Sequence, residues 1–143
     1  MDVKTYKNQV YDIIGAAMEV HRQLGRGLLE AIYQEAMHYE LLDRGIAHQR
    51  EVDIKCYYKQ HPLQKTYRAD FMAGDVIVEM KSVSHLSADH RSQLCNYLRL
   101  THKPLGLLIN FGESRLVGER WAYDAVTREC YLIDQSMSRV FKP

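Results

Sequence analysis

An aspartate followed nine positions later by Glu-x-Lys, Asp70 with Glu79 and Lys81, is the arrangement in this chain best suited to chemistry. Two carboxylates that converge on a partly enclosed point repel each other and are costly unless a cation or a proton relieves them. A hard ion such as Mg²⁺, with Mn²⁺ as the alternative, suits such a pair. It takes oxygen ligands and keeps several waters, leaving room for a phosphate oxygen and an attacking water. The Lys81 ammonium would then orient that water and offset the negative charge growing in a phosphorane-like transition state, assistance worth a few kcal/mol.

Whether the three groups meet depends on two strands. Residues 66–72 and 75–83 flank Ala73-Gly74, which reads as a hairpin connection. Strand side chains alternate, so Glu79 and Lys81 emerge on one face while Val78 and Met80 take the other. If Met72 opposes Asp75, Asp70 faces Ile77 and lies diagonal to Glu79, within reach of a shared ion. A slip of one residue would turn Asp70 to the wrong face. The competing reading is a solvated polar array on an exposed hairpin, because D-x(8)-E-x-K alone is a weak signature.

The elements that must position this hairpin follow from periodicity. Val3, Tyr6, Val10, Ile13, Ile14, Ala17 and Leu24 recur at helical spacing, predicting an amphipathic helix over 3–24 that Gly25 and Gly27 end. A second helix is expected from Leu28 to Gly45, with Leu29, Ile32, Ala36 and Met37 as its buried stripe. Residues 46–58 are rich in β-branched and aromatic types, and residues 59–62 interrupt them as a turn. After the hairpin come a helix over 87–100, an apolar and central strand over 105–111, and weaker strands over 116–123 and 129–133. The order α-α-β-β-β-α-β plus short strands predicts an α/β fold, a mixed sheet flanked by helices.

The chain has 143 residues, enough for one domain over 1–143, and its 46% hydrophobic and 26% charged composition is that of a globular protein. No segment has the length of apolar sequence that a bilayer span or signal peptide needs, so no membrane partner and a cytoplasmic location are expected. The net charge of +1 gives no overall nucleic-acid signature, although a local basic groove fits within a balanced total. Cys56, Cys95 and Cys130 are odd in number and far apart, and read as reduced thiols. His85 and His90 stand five apart, off a shared helical face, and read as ordinary residues rather than zinc ligands.

Several motifs resemble one family in its order. Gly27-Leu28-Leu29-Glu30-Ala31-Ile32-Tyr33 matches a GxxExxY signature. Arg68-Ala69-Asp70, Val78-Glu79-Met80-Lys81-Ser82-Val83, Gln93-Leu94-Cys95-Asn96-Tyr97-Leu98 and residues 105–112 follow it. Over about residues 8–120 the chain resembles the GxxExxY proteins, which are grouped with the PD-(D/E)XK nucleases. The resemblance implies a restriction-endonuclease-like core, with Asp70 and Glu79 as metal ligands and Lys81 as the catalytic lysine. Glu30 would be a further acidic group near the metal, and Gln93 with Tyr97 a helix motif facing the site and the nucleic-acid backbone. For Glu30 and Tyr33 a purely structural role, a buried hydroxyl and a carboxylate holding two helices together, is equally open. Tyr97 could likewise be core packing, and His21 reads as a helix-end residue rather than a catalytic one.

The expected activity is Mg²⁺-dependent hydrolysis of phosphodiester bonds, with DNA ahead of RNA as partner. The alternative is a catalytically inactive nucleic-acid or protein binding module on the same fold. Residues 125–143 extend past the resemblance, and Tyr131, Ile133, Val140 and Phe141 there could pack on the sheet or on a second copy in a homo-oligomer.

Overall fold

A computed structural model describes residues 2–141; Met1, Lys142 and Pro143 lie outside the described residues. A short 3₁₀ turn, Val3–Tyr6, leads into helix α1 (Lys7–Leu24), which buries Val10, Ile13, Ala16, Ala17 and Val20 along one stripe. Helix α2 (Glu30–Asp43) begins later than its pattern suggests. Leu29 is its N-cap residue and 73% exposed, and Ile32 is also exposed, so the expected stripe is displaced. The buried residues are Tyr33, Met37 and Leu41, at strict i, i+4 spacing. The tyrosine sets this orientation: its ring stacks on Phe111 at 4.6 Å, an anchor that counting aliphatic residues overlooks.

The strands are β1 (Gln49–Ile54), β2 (Tyr57–Tyr58), β3 (His61–Pro62), β4 (Tyr67–Ala73) and β5 (Val76–Lys81). Helix α3 (Ala88–Thr101) then precedes β6 (Leu105–Asn110), β7 (Val117–Asp124) and β8 (Glu129–Ile133). Six strands form one mixed sheet in the order β1-β4-β5-β6-β7-β8, in which only β5 and β6 run parallel. The parallel pair requires a crossover, which α3 supplies. Residues 59–62 are not all turn as expected, because His61–Pro62 folds back to pair with Tyr57–Tyr58 as a small separate ladder.

Helices α1 and α2 cover one sheet face, burying Phe71, Val78, Met80, Leu107, Ile109 and Phe111. Helix α3 covers the other with Leu94, Tyr97 and Leu98 against Ala69, Ile77 and Leu108. The result is a single mixed α/β domain with the sheet between helices, and β6, buried at every position, at its centre. No helix is long and apolar enough to cross a membrane among the described residues.

The reading of all three cysteines as reduced is corrected here. Cys95 on α3 and Cys130 on β8 form a disulfide, with Cα atoms 5.9 Å apart, while Cys56 is free. Neither spacing nor parity signals this pairing, because it depends on α3 crossing back over the sheet toward its β8 edge. In the C-terminal segment Ile133 and Met137 are buried and Tyr131 packs against the core, whereas Phe141 is exposed.

Candidate active site

The site is built where β4 and β5 part. Their ladder pairs Ala73 with Val76, Met72 with Ile77 and Phe71 with Val78. Carried one pair further, it sets Asp70 against Glu79 rather than against the expected Ile77. Gly74 and Asp75 form the whole turn, and Gly74 (φ 58°) supplies the left-handed residue a two-residue hairpin needs at its first central position. The register therefore differs from expectation by two residues along β5, an even shift that keeps the face.

At Asp70 the backbone pairing stops and side chains take over. The Asp70 backbone N–H donates to Glu79 Oε1 at 2.9 Å, and the Met80 N–H donates to Asp70 Oδ2 at 2.8 Å. Asp70 also marks a change of face in its strand. Ala69 packs on the α3 side, whereas Phe71 packs under α1 and α2. Opposite it on β1, Glu51 adopts φ 53°, so the distortion involves both neighbours of β4.

The surroundings of the two carboxylates make them costly to ionise together. Glu79 is only 6% exposed, and burial, followed by the nearby Asp70 charge, pushes its pKa up to about 8. Burial also raises Asp70, against the opposing effects of the Met80 amide, the Gln34 amide and the Lys81 charge. A polar relay holds Asp70: Arg50 Nε donates to Gln34 Oε1 at 3.0 Å, and Gln34 Nε2 donates to Asp70 Oδ1 at 3.0 Å.

Lys81 lies on the same face of β5 as Glu79, two positions on, and its Nζ is 3.9 Å from Glu30 Oε1. Glu30 is thus placed at the lysine. Among the described residues no three His, Cys, Asp or Glu side chains gather as a ready metal cluster, while the Glu30 charge acts on Glu79 as well as lying beside the lysine. Tyr33 serves its loop: its hydroxyl donates to the Gly25 carbonyl at 2.6 Å and accepts from the Leu28 N–H at 3.1 Å. Ser82 Oγ donates to the Leu28 carbonyl at 2.6 Å, tying that loop to the end of β5.

At the start of α3, the Ser87 hydroxyl accepts from the His90 N–H while His90 Nδ1 accepts from the Ser87 N–H, closing a capping box. That cap is the role of His90, and His85 is largely exposed. One turn further, Gln93 Nε2 donates to the hydroxyl of Tyr97. Tyr97 is buried, and burial raises its phenol, on which the charges of Glu79 and Asp70 also act. The phenol therefore stays protonated beside the carboxylate pair.

Sequence reasoning missed Gln34, Glu51 and Asn110. The first two lie in no recognisable motif. Asn110 is a lone amide in an apolar strand, and that contrast is a readable signal. It is fully buried, donates to the Val83 carbonyl and to Glu113 Oε2, and accepts from the Val83 and Gly112 N–H groups. It thereby fixes the segment leaving β5 just beyond Lys81. Gly112 must be glycine here, since a Cβ would overlap the Val83 backbone.

The donor set fits a hard divalent cation. Asp70 and Glu79 are neighbouring oxygen donors, the latter almost wholly buried and driven toward its protonated form, and a cation held by the pair would relieve that cost. His21, at the end of α1, instead bonds the Glu113 carbonyl through Nε2 at 2.9 Å.

A family model described as the PD-(D/E)XK nuclease superfamily matches residues 7–121. That span includes Glu30, Asp70, Glu79, Lys81, Gln93 and Tyr97. No curated protein and no solved structure gives a significant match.

Proposed function

The chain belongs to the PD-(D/E)XK nuclease superfamily, and from that premise we propose that it is a Mg²⁺-dependent hydrolase of phosphodiester bonds in DNA, with RNA the lesser substrate. The observation that carries the proposal is the reciprocal bonding of Asp70 and Glu79 at the parting of β4 and β5, with Lys81 on the same face.

Asp70 and Glu79 are the metal-holding residues of this reading. A divalent cation bound there would supply the positive charge that makes water a nucleophile at neutral pH and neutralises a phosphate oxygen. Lys81 has the separate task of positioning the attacking water and countering charge on the phosphate in the transition state. Glu30, 3.9 Å from Lys81 Nζ, keeps the ammonium aimed while leaving it partly free to engage substrate. The Tyr97 hydroxyl, taking a hydrogen bond from Gln93, has its own proton available for a polar neighbour, and the pair is assigned to substrate positioning.

The test is cleavage of single- and double-stranded DNA and RNA by the purified protein with Mg²⁺ or Mn²⁺, beside Lys81→Ala. Metal-dependent cleavage that the lysine variant loses supports the reading. No cleavage of any substrate, or an undiminished variant, overturns it.

A further inference from the structure

The segment between β1 and β4 has a composition unlike the rest of the chain. Residues 55–69 contain Lys55, Lys59, Lys65 and Arg68, with no aspartate or glutamate, although the whole chain is balanced to +1. The same segment carries Tyr57, Tyr58 and Tyr67. The β2–β3 hairpin projects the first two into solvent, 60% and 62% exposed, and Leu63 beside them is also exposed. Lys59, in the turn, lies over the Tyr58 ring at 5.5 Å. Among the described residues, Arg68 is the one of the four cations with an acidic partner, pairing with Asp53 at 3.1 Å.

The placement of this arm is as informative as its composition. It springs from the Ile54–Tyr67 pair that ends the β1–β4 ladder, and Tyr67 is three residues from Asp70 on β4. The rings of Tyr67 and Tyr97 lie 5.5 Å apart, so aromatic surface continues from the hairpin's base to the phenol beside Asp70 and Glu79. An isolated two-stranded hairpin gains little stability of its own. Its exposed rings are not explained by packing, and its charge is of one sign.

We infer that residues 55–67 form a substrate arm that takes an unpaired nucleic-acid strand, stacking bases on Tyr57 and Tyr58 and meeting phosphates with Lys55, Lys59 and Lys65. Aromatic rings interleaved with lysines suit a single strand, whose bases present open faces, and not a duplex, whose bases are stacked on each other. The inference deepens the nuclease reading by naming its substrate as single-stranded, or as a duplex with a frayed or flapped end.

The test measures binding without turnover. The full chain in EDTA is titrated against a labelled oligothymidylate of about 16 nucleotides and against a duplex of similar length, followed by fluorescence anisotropy at several salt concentrations. The paired substitution Tyr57→Ala and Tyr58→Ala should weaken single-strand binding by at least about ten-fold, whereas Tyr57→Phe with Tyr58→Phe, which keeps both rings, should stay within about two-fold of the parent. Lys59→Ala should reduce the salt slope by about 0.7 on the single strand. The inference is overturned if the alanine pair binds within about two-fold of the parent, if duplex binding falls equally, or if the alanine pair alters sedimentation of the free protein instead, which would mark a contact between copies. Because no metal is present, binding by the arm stands even if cleavage is never seen. Cleavage with an inert arm would remove this inference alone.

Discussion

Asp70 and Glu79 replace the backbone ladder at the point where β4 and β5 separate: Glu79 accepts from the Asp70 N–H, and Asp70 accepts from the Met80 N–H just past Glu79. Each carboxylate is therefore fixed by the strand opposite its own. The strands can diverge without leaving those two N–H groups unpaired, and both side chains are held in place by the bonds that replace the ladder. The energetic consequence is opposed to the geometric one, because buried neighbouring carboxylates destabilise the ionised pair.

That conflict predicts an unusual pH dependence. Glu79 has a folded-state pKa of about 8, above its unfolded value, so the folded protein holds the extra proton between the two. Its contribution to stability is fully present below the unfolded pKa and is lost as pH rises through about 8. Chelator-treated protein should show a melting temperature that falls from mildly acidic pH to about 8, and Glu79→Gln should flatten that slope. A slope of opposite sign would show that Glu79 is not protonated in the fold.

Asp70 should answer differently to the same exchange. Relief of repulsion alone would make Asp70→Asn neutral or stabilising. Both oxygens of Asp70, however, accept hydrogen bonds, and an amide turns one acceptor into a donor facing the Met80 N–H or the Gln34 amide. With Glu79 already protonated near neutral pH there is little repulsion to relieve, so the lost acceptor decides. Urea unfolding should show a loss of about 1–3 kcal/mol, and a stabilised variant would contradict the bonding described.

Lys81→Ala should separate chemistry from binding. Turnover is expected to fall about 10²- to 10³-fold, while calorimetric Mn²⁺ affinity stays near that of the parent because the carboxylates are untouched. Loss of metal affinity equal to that of Glu79→Gln would place the lysine in the ion's own cage.

Tyr33→Phe removes the hydroxyl that bonds both Gly25 and Leu28. Denaturant unfolding should register a loss of about 1–2 kcal/mol, with increased amide exchange at Leu28. An unchanged midpoint would show that ring stacking on Phe111 alone secures the loop.

The Cys95–Cys130 bridge closes a 35-residue separation between α3 and β8. Cys130→Ser, or a reductant on the parent, should lower stability by about 2–4 kcal/mol through release of the unfolded chain. If reductant leaves the unfolding midpoint of the parent unchanged, the bridge is not formed in solution.

Much of this fold was legible from periodicity. The α3 boundaries, the central β6 strand and the β4–β5 hairpin follow from capping residues, apolar runs and turn residues that act locally. The face shared by Glu79 and Lys81 was legible for the same reason, since alternation along one strand needs no knowledge of its neighbours. What escaped was set by tertiary contact. The Asp70–Glu79 register depended on which two residues made the turn, and the α2 stripe depended on a tyrosine stacking on a residue 78 positions away. The disulfide depended on a helix crossing. Gln34 escaped because an amide on a mixed helix carries no signal of its own until the groups around it are buried and need partners, whereas Asn110 stood out against its apolar strand but its partners, Val83, Gly112 and Glu113, were set by the fold.

The most direct test of the account is an anomalous difference map from crystals of the protein grown with Mn²⁺. The account predicts one strong peak bridging a carboxylate oxygen of Asp70 and one of Glu79 at about 2.0–2.3 Å from each, with Lys81 outside the coordination sphere. A map with no peak there, or with the ion held by other residues, would contradict it.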